Sequence, residues 1–158
     1  MIVIQKVNGS KDKRKLLPLL LLGDEQESMI ERYLDRAEVF VLRSYTHCRE
    51  VDMGVIAVTD EGDGVLEIKN IAIAEGIRGS GLGRYMIQYI ERVFSARYHT
   101  LLVGTGDSLL TVPFYERCGF VRSHAVKDFF TEHYDHPIIE GGVLLCDMVI
   151  LEREIKRT

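Results

Sequence analysis

Apolar residues recur at changing intervals along the chain, and each change predicts a new structural element. Residues 2–7 alternate weakly between apolar and polar positions and predict a short strand. The turn at residues 8–10 offers a helix cap, and residues 11–22 follow with helical spacing. After a break at Gly23, residues 25–36 resume a helical pattern with apolar side chains on one face. The chain is therefore expected to begin with one strand and two helices.

The rest of the chain alternates strands with helices. β-rich runs predict strands at residues 38–45, 51–59 and 65–74, followed by a helix at about residues 83–97. The remaining segments are an apolar strand at 100–105, a short helix at 108–117, a strand from residue 119, an irregular stretch at 129–142 and a strand at 143–153. This order predicts one α/β (α+β) domain over residues 1–158. We expect a mixed central sheet of about six to seven strands with helices on both faces.

The strand at residues 65–74 contains an irregularity. Leu66 and Ile68 place apolar side chains at even positions, whereas Ile71 and Ile73 place them at odd positions. A β-bulge produces such a one-residue slip, and bulges often lie beside active sites. A strand buried on both faces would give a similar pattern, so the slip alone does not decide between the two.

Composition and charge narrow the function classes. Apolar residues make up 46% of the chain and charged residues 28%, as in an ordinary globular protein. The net charge of −4 argues against a nucleic-acid partner, which normally requires a basic face. The three cysteines form no CxxC pair, the N-terminus lacks a secretory pattern, and no apolar run is long enough to span a membrane. We therefore expect a cytoplasmic protein without a membrane partner.

The glycine-rich stretch at residues 75–84 carries the clearest chemistry. It reads E-G-I-R-G-S-G-L-G-R and lies between a predicted strand and a predicted amphipathic helix. Glycines let the backbone turn sharply and approach a ligand closely, so that successive N–H groups point into one concavity. The positive end of the helix dipole adds to this concavity, which suits a phosphate group. A tight glycine turn without a ligand is the structural alternative.

Two common phosphate loops do not fit this stretch. No lysine follows the glycines, as a P-loop requires, and Arg84 stands where a dinucleotide fingerprint needs its third glycine. The remaining pattern is [Q/R]-x-x-G-x-[G/A], which Arg78, Gly81 and Gly83 match. With this loop, the sequence resembles the GCN5-related N-acetyltransferase (GNAT) family, whose members bind the pyrophosphate of coenzyme A there.

A second motif supports the same resemblance. Residues 114–120, F-Y-E-R-C-G-F, look like the FYExxGF segment at the end of the fourth GNAT helix. The strand at residues 66–73 is similar to the bulged fourth GNAT strand. Segments at residues 128–134 and 146–148 look like those of a subgroup of small bacterial acetyltransferases. The specific match covers residues 65–121, and the order of elements extends it to nearly the whole chain.

The resemblance implies acetyl-CoA as cosubstrate and assigns residues to it. Strand N–H groups beside the bulge would hold the pantetheine arm and acetyl group, and the loop would hold the pyrophosphate. Family members often carry an asparagine after the fifth strand, where this chain has Asp107 and Ser108 as substitutes. The implied cofactor-binding residues are Ile71, Ala72, Ile73, Arg78, Gly79, Ser80, Gly81, Leu82, Gly83, Arg84, Asp107 and Ser108.

Two residues are candidates for acid–base chemistry. The resemblance assigns Tyr115 as the general acid that protonates the leaving thiolate, a role that suits a phenol. Glu67 aligns with a glutamate that serves as general base in some members. A packing role for Tyr115 and a solvated surface role for Glu67 are the alternatives. Cys118 lies in the turn of the second motif, so it is not expected to carry an acyl group.

The expected activity is acetyl transfer from acetyl-CoA to a primary amine by direct attack in a ternary complex. A non-catalytic acyl-CoA sensor or partner module on the same fold is the alternative, since fold does not fix function. The histidines show no metal-binding spacing, so no metal is expected. The acceptor would be a small-molecule or peptide amine, and a homodimer is one expected assembly. Six acidic residues could line a cation-attracting entrance, although charge runs more often form solvated helix faces: Glu25, Glu27, Glu31, Asp128, Glu132 and Asp135.

Overall fold

The computed structural model describes residues 1–157 and contains nine strands in two sheets. The strands are β1 (Ile2–Val7), β2 (Glu38–Thr46), β3 (Arg49–Gly62), β4 (Val65–Ile73), β5 (Thr100–Gly106), β6 (Val121–Val126), β7 (Ile139–Glu140), β8 (Val143–Leu144) and β9 (Met148–Glu154). Seven of them form the main sheet in the order β1-β2-β3-β4-β5-β9-β6, and β7 pairs with β8 separately. The main sheet is mixed, because β4 and β5 are parallel while its other neighbours are antiparallel.

Helices cover both faces of the main sheet. They are α1 (Ser10–Arg14), α2 (Leu17–Gly23), α3 (Glu27–Glu31), α4 (Leu82–Phe94), α5 (Val112–Arg117) and α6 (Phe129–His133). The buried side of α4, including Ile87 and Phe94, packs in one core with Ile68 of β4. On the opposite face, Leu20 of α2 shares a second core with Val55 of β3. The expected mixed sheet with helices on both faces is confirmed.

The register of β3 and β4 confirms the β-bulge. Ala57 pairs with Asn70 and Val58 with Ile68, so Lys69 has no partner opposite it. Because of this extra residue, odd-numbered side chains after the bulge lie on the face that even-numbered side chains occupy before it. Ile68 is buried in the α4 core, and Ile71, an odd number of positions later, packs against that same core.

The parallel pairing of β4 with β5 is short. It joins residues 65–68 to residues 100–103 and then stops. Beyond this point β4 pairs only with β3, and β5 only with β9. The two strands therefore diverge where the bulge begins, in the middle of the sheet.

The structure corrects several predicted boundaries. The helix expected at residues 11–22 is interrupted after Arg14, and α2 resumes with Pro18 in its first turn. The turn at residues 8–10 does precede the helix, with Gly9 as the N-cap, but it supplies no side-chain cap, because the Ser10 hydroxyl donates to Asp35. The helix expected at 25–36 is limited to α3, and the strand expected at 143–153 is divided into β8 and β9. In residues 1–157 no helix has the length and apolar character needed to cross a membrane.

Candidate active site

A cavity of about 390 Å³ lies where β4 and β5 diverge. Its floor is formed by β4 from Glu67 to Ile71 and by β5 from Val103 to Gly106. One wall comes from α2, α3 and the residues after them, and the other from α6 and β7. Tyr115 of α5 also lines it. The cavity thus combines the central strands with two segments that are distant in the sequence.

The end of β4 presents unpaired backbone groups to this opening. The N–H of Ala74 donates to Met53 of β3 at 2.8 Å. Successive N–H groups of a strand point to alternate sides, so those of Ile73 and Ile71 point away from β3. By the same alternation the N–H of Ala72 points toward β3, and its side chain is buried in the α2 core. Ile71 and Ile73 therefore supply the free strand donors.

The glycine loop continues from this strand end. Gly79 and Gly81 have positive φ angles of 78° and 85°, and a Cβ at either position would meet nothing within 4 Å. Gly81 caps the N-terminus of α4, whose first N–H groups remain without intrahelical partners. The Ser80 hydroxyl donates to the Ile77 carbonyl at 2.5 Å, which fixes the turn. An open groove of about 500 Å³ runs beside these residues.

Two exposed arginines flank the loop. Neither Arg78 nor Arg84 forms an ion pair with any carboxylate of residues 1–157. The Nε of Arg78 donates to the Ile73 carbonyl at 3.1 Å, which joins the loop to the strand end. The guanidinium charges are therefore available to a bound anion.

The glycine loop also contacts the second motif. A Cβ on Gly83 would lie 3.0 Å from the ring of Phe114, so a larger residue there would require the ring to shift by a few tenths of an ångström. Phe114 packs edge-on against Tyr115, which packs edge-on against Phe120. The two sequence motifs are thus parts of one packed unit beside the opening.

Tyr115 lies at the boundary between this unit and the cavity. It is 8% exposed, and no residue among 1–157 forms a hydrogen bond with its hydroxyl group. Burial raises the pKa of the Tyr115 phenol above its ordinary value, with smaller effects from Cys118 and Glu140. The phenol is therefore protonated at neutral pH and has its hydrogen-bonding capacity free.

Glu67 projects into the cavity from β4, just before the bulge. Its carboxylate is paired with Lys69, the bulged residue, and its side chain is 13% exposed. The structure thus does not place Glu67 on a solvated surface. The Glu67 carboxylate therefore lies close to the point where β4 and β5 diverge, and Lys69 holds it in place.

The two residues after β5 have other partners. Asp107 is 60% exposed and forms an ion pair with Arg122 of β6 at 3.0 Å. Ser108 is buried, and its hydroxyl accepts a hydrogen bond from the N–H of Leu110. Neither residue lines the cavity, so their contact with pantetheine stays a prediction. Cys118 is buried in its turn, and burial raises the pKa of its thiol, which does not favour acyl transfer.

The cavity walls contain residues that sequence reasoning missed. The loop after α2 is joined to the segment after α6 by hydrogen bonds that span more than a hundred residues. The Tyr134 hydroxyl donates to Asp24 at 2.9 Å, and the Gln26 amide donates to the His133 carbonyl at 3.2 Å. None of the six acidic residues expected at the entrance lines the cavity. Its acidic residues are Asp24, Glu67 and Glu140.

Several of these six residues have partners outside the cavity. Glu25 is bound to His136 and so joins the two walls from outside, whereas Asp135 is bound to the neighbouring His136 and Glu31 to Arg14 of α1. No pattern near Asp24 or Glu140 signals that they share a cavity. Within residues 1–157, no group of three or more His, Cys, Asp or Glu side chains is arranged to hold a metal ion.

Comparison with known proteins identifies the family. The family model described as acetyltransferase (GNAT) domain matches residues 35–122, and the chain belongs to this family. It is 31% identical over 145 residues to the uncharacterized N-acetyltransferase YvbK of Bacillus subtilis, covering 90% of this chain and 91% of that protein. The likeness extends across the whole fold and makes the chain an acyltransferase.

Two solved structures are similar over nearly their full lengths. The IAA acetyltransferase from Bacillus cereus shares 30% identity with a TM-score of 0.85, covering 98% of this chain and 99% of its own. A GNAT family acetyltransferase from Elizabethkingia anophelis, with acetyl-CoA bound, shares 28% identity with a TM-score of 0.87 and 97% coverage of both chains. The expected resemblance, fold and enzyme class are thereby confirmed.

Proposed function

We propose that this chain moves the acetyl group of acetyl-CoA to a primary amine, which attacks the thioester directly in a ternary complex. One observation carries the proposal. The strand end with the free donors joins the cavity, which Tyr115 lines, to the glycine loop, which lines a separate groove. Two substrates can therefore meet without a covalent enzyme intermediate.

The residues at the opening fit coenzyme A. The loop has Cβ-free positions at Gly79 and Gly81 and two arginines without carboxylate partners, as a pyrophosphate requires. The N–H groups of Ile71 and Ile73 suit an extended amide-containing arm, because an extended chain can pair with a strand edge. When bound, acetyl-CoA supplies an activated acyl group as a thioester.

The proton steps are assigned to two residues. As the amine nitrogen bonds to the acetyl carbon, the carbon–sulfur bond breaks and the sulfur leaves as a thiolate. Tyr115 donates its proton to that sulfur, a role for which its protonated, unpaired hydroxyl is suited. Glu67 accepts the proton lost by the amine, directly or through a water molecule, and Lys69 holds its carboxylate in place.

Acetyl transfer is tested with purified protein, acetyl-CoA and a panel of amines. The panel contains polyamines, aminoglycosides, amino acids and peptide N-termini, and release of free thiol is followed with and without each amine. We expect amine-dependent thiol release and a product heavier by one acetyl group in mass spectrometry. Tight acetyl-CoA binding without transfer to any amine would favour the sensor function instead.

A further inference from the structure

Glu140 of β7 is a charged residue of the cavity to which the proposed reaction assigns no role. It lines the same cavity as Tyr115 and Glu67, although it lies in a short hairpin after α6. Its Oε2 atom is buried and has no hydrogen-bond partner among residues 1–157. A buried carboxylate oxygen normally has a donor or a cation beside it.

No cation of residues 1–157 is paired with Glu140. Within residues 1–157 it forms no ion pair, and the nearby charge that acts on it is another carboxylate, Glu25. The Ser108 hydroxyl is its neutral polar partner. Burial raises the pKa of Glu140, and the Ser108 contact offsets only part of that effect. A positive charge brought into the cavity would offset the cost of burying the ionised carboxylate.

The other charged groups lining the cavity differ from Glu140. Lys69 is paired with Glu67, Arg36 with Glu61 at 2.9 Å, and Asp24 accepts from two donors. Arg32 is exposed and contacts the Met29 sulfur, but it is beyond ion-pair distance of Glu140. No described cation of the cavity is therefore placed to neutralise Glu140.

Aromatic rings close the same wall. Phe129, Phe130 and Tyr134 line the cavity and pack against one another, with centroids 5.3 to 6.4 Å apart. Aromatic faces attract cations and cover the carbon chain of an amine with apolar surface. The wall that bears Glu140 is thus suited to an organic cation.

We propose that Glu140 binds a second, non-reacting ammonium group of the acceptor, so that the acceptor is a diamine or a longer polyamine. This inference rests on the proposed acetyl transfer. The attacking nitrogen must be neutral, because its lone pair forms the new bond. A nitrogen held against a partly buried carboxylate that no cation neutralises is instead stabilised as a cation. The two functions therefore require two nitrogens, with Glu67 beside one and Glu140 beside the other.

The inference is tested by binding, independently of turnover. Linear α,ω-diamines of three to six carbons, and the amino alcohols of the same lengths, are titrated by calorimetry into the complex of the protein with coenzyme A. We expect the best diamine to bind about 10- to 100-fold more tightly than its amino alcohol, as for a charge-assisted contact. In Glu140→Gln this preference should disappear, while amino alcohol binding stays unchanged.

Glu132→Gln is the matched control, since it removes an exposed carboxylate of α6 that does not line the cavity. It should retain the diamine preference, and thermal melts should show that both variants are folded. The inference is overturned if no diamine is preferred, if the preference survives Glu140→Gln, or if that variant weakens both ligands equally. Selective diamine binding without acetyl transfer would instead contradict the proposed function and leave the binding site intact.

Discussion

The proposed cofactor side and the proposed acceptor side of the site are built in different ways. The cofactor side is one continuous stretch from Ile71 to Arg84, and it offers mainly backbone N–H groups and positive-φ glycines. The acceptor side is assembled from side chains that are far apart in sequence, such as Asp24 and Tyr134, which are separated by 110 positions. The first depends on chain conformation, and the second on residue identity.

This difference indicates which part of the site tolerates changes of side chain and which part depends on them. Backbone donors recognise phosphates and amides whatever side chains surround them, so a common cofactor can be bound by a short local motif. Specificity for an acceptor depends on the placement of a few polar groups in an apolar cavity. A change on one side should therefore leave binding on the other side nearly unaffected.

The largest effect is expected at Tyr115, which lies at the junction of the two sides. Tyr115→Phe should lower kcat by about 10²- to 10⁴-fold, the usual contribution of one general acid. Affinities for acetyl-CoA and for the acceptor should barely change, since the proton is needed only in the transition state. Steady-state thiol release gives kcat, and calorimetry gives both affinities.

Tyr85→Phe, at an exposed tyrosine of α4, is the control for Tyr115→Phe. The melting temperature of Tyr115→Phe should match the parent, because the lost hydroxyl has no protein partner. Full turnover in folded Tyr115→Phe would show that Tyr115 serves packing alone.

Glu67→Gln should reduce kcat/KM by on the order of 10² at neutral pH. The loss should shrink as pH rises, because more of the amine is already neutral in solution. A pH profile of both proteins measures this, and the acidic limb of the parent should be absent in the variant. Glu50→Gln, which removes a carboxylate paired with Arg43 outside the cavity, is the control. An unchanged acidic limb in Glu67→Gln would assign the proton to another group.

Gly81→Val should weaken coenzyme A binding by about 30-fold or more, because a β-branched residue at a φ of 85° is strained and its side chain enters the phosphate site. The protein should still fold, since a Cβ at this position meets no atom within 4 Å. Gly9→Val has equal space and at least as much strain, since Gly9 has a φ of 86° and a ψ of 146° against a ψ of 4° at Gly81, but it lies outside the loop. Equal coenzyme A affinity of the two variants would contradict the assignment of the loop.

Tyr134→Phe should have the smallest effect and should appear on the acceptor side alone. It removes one hydrogen bond to Asp24, so KM for the acceptor should rise about 3- to 10-fold while coenzyme A affinity stays constant. Tyr45→Phe loses a similar hydroxyl contact, to Gln5 at 3.1 Å, away from the cavity. A matching loss of coenzyme A affinity in Tyr134→Phe would show that the two sides are coupled.

The same contrast explains what the sequence could reveal. The glycine loop, the bulge and the Phe114 motif were predictable, because each depends on neighbours within a few residues or on one strand's periodicity. Glu140 lies in a stretch that gives no periodic signal, and its significance comes from a cavity whose other residues are distant. The helix predicted at residues 25–36 proved too long for a similar reason. Apolar side chains at helical spacing are buried there, but some of them lie in the turns that follow α3. Features that depend on neighbouring residues could be predicted from the sequence, whereas the assembly of the cavity from distant residues could not.

The short pairing of β4 with β5 has a consequence for the handling of this protein. A seven-stranded sheet normally has two outer edges, but past Ile68 and Val103 this one has two further edges in its interior. Unpaired strand edges are templates for intermolecular β-pairing and aggregation. A ligand that lies along the end of β4 would cover one of them and slow amide hydrogen exchange at Ile71 and Ile73. The supply of coenzyme A would then influence how long the folded chain stays monodisperse, apart from any effect on turnover.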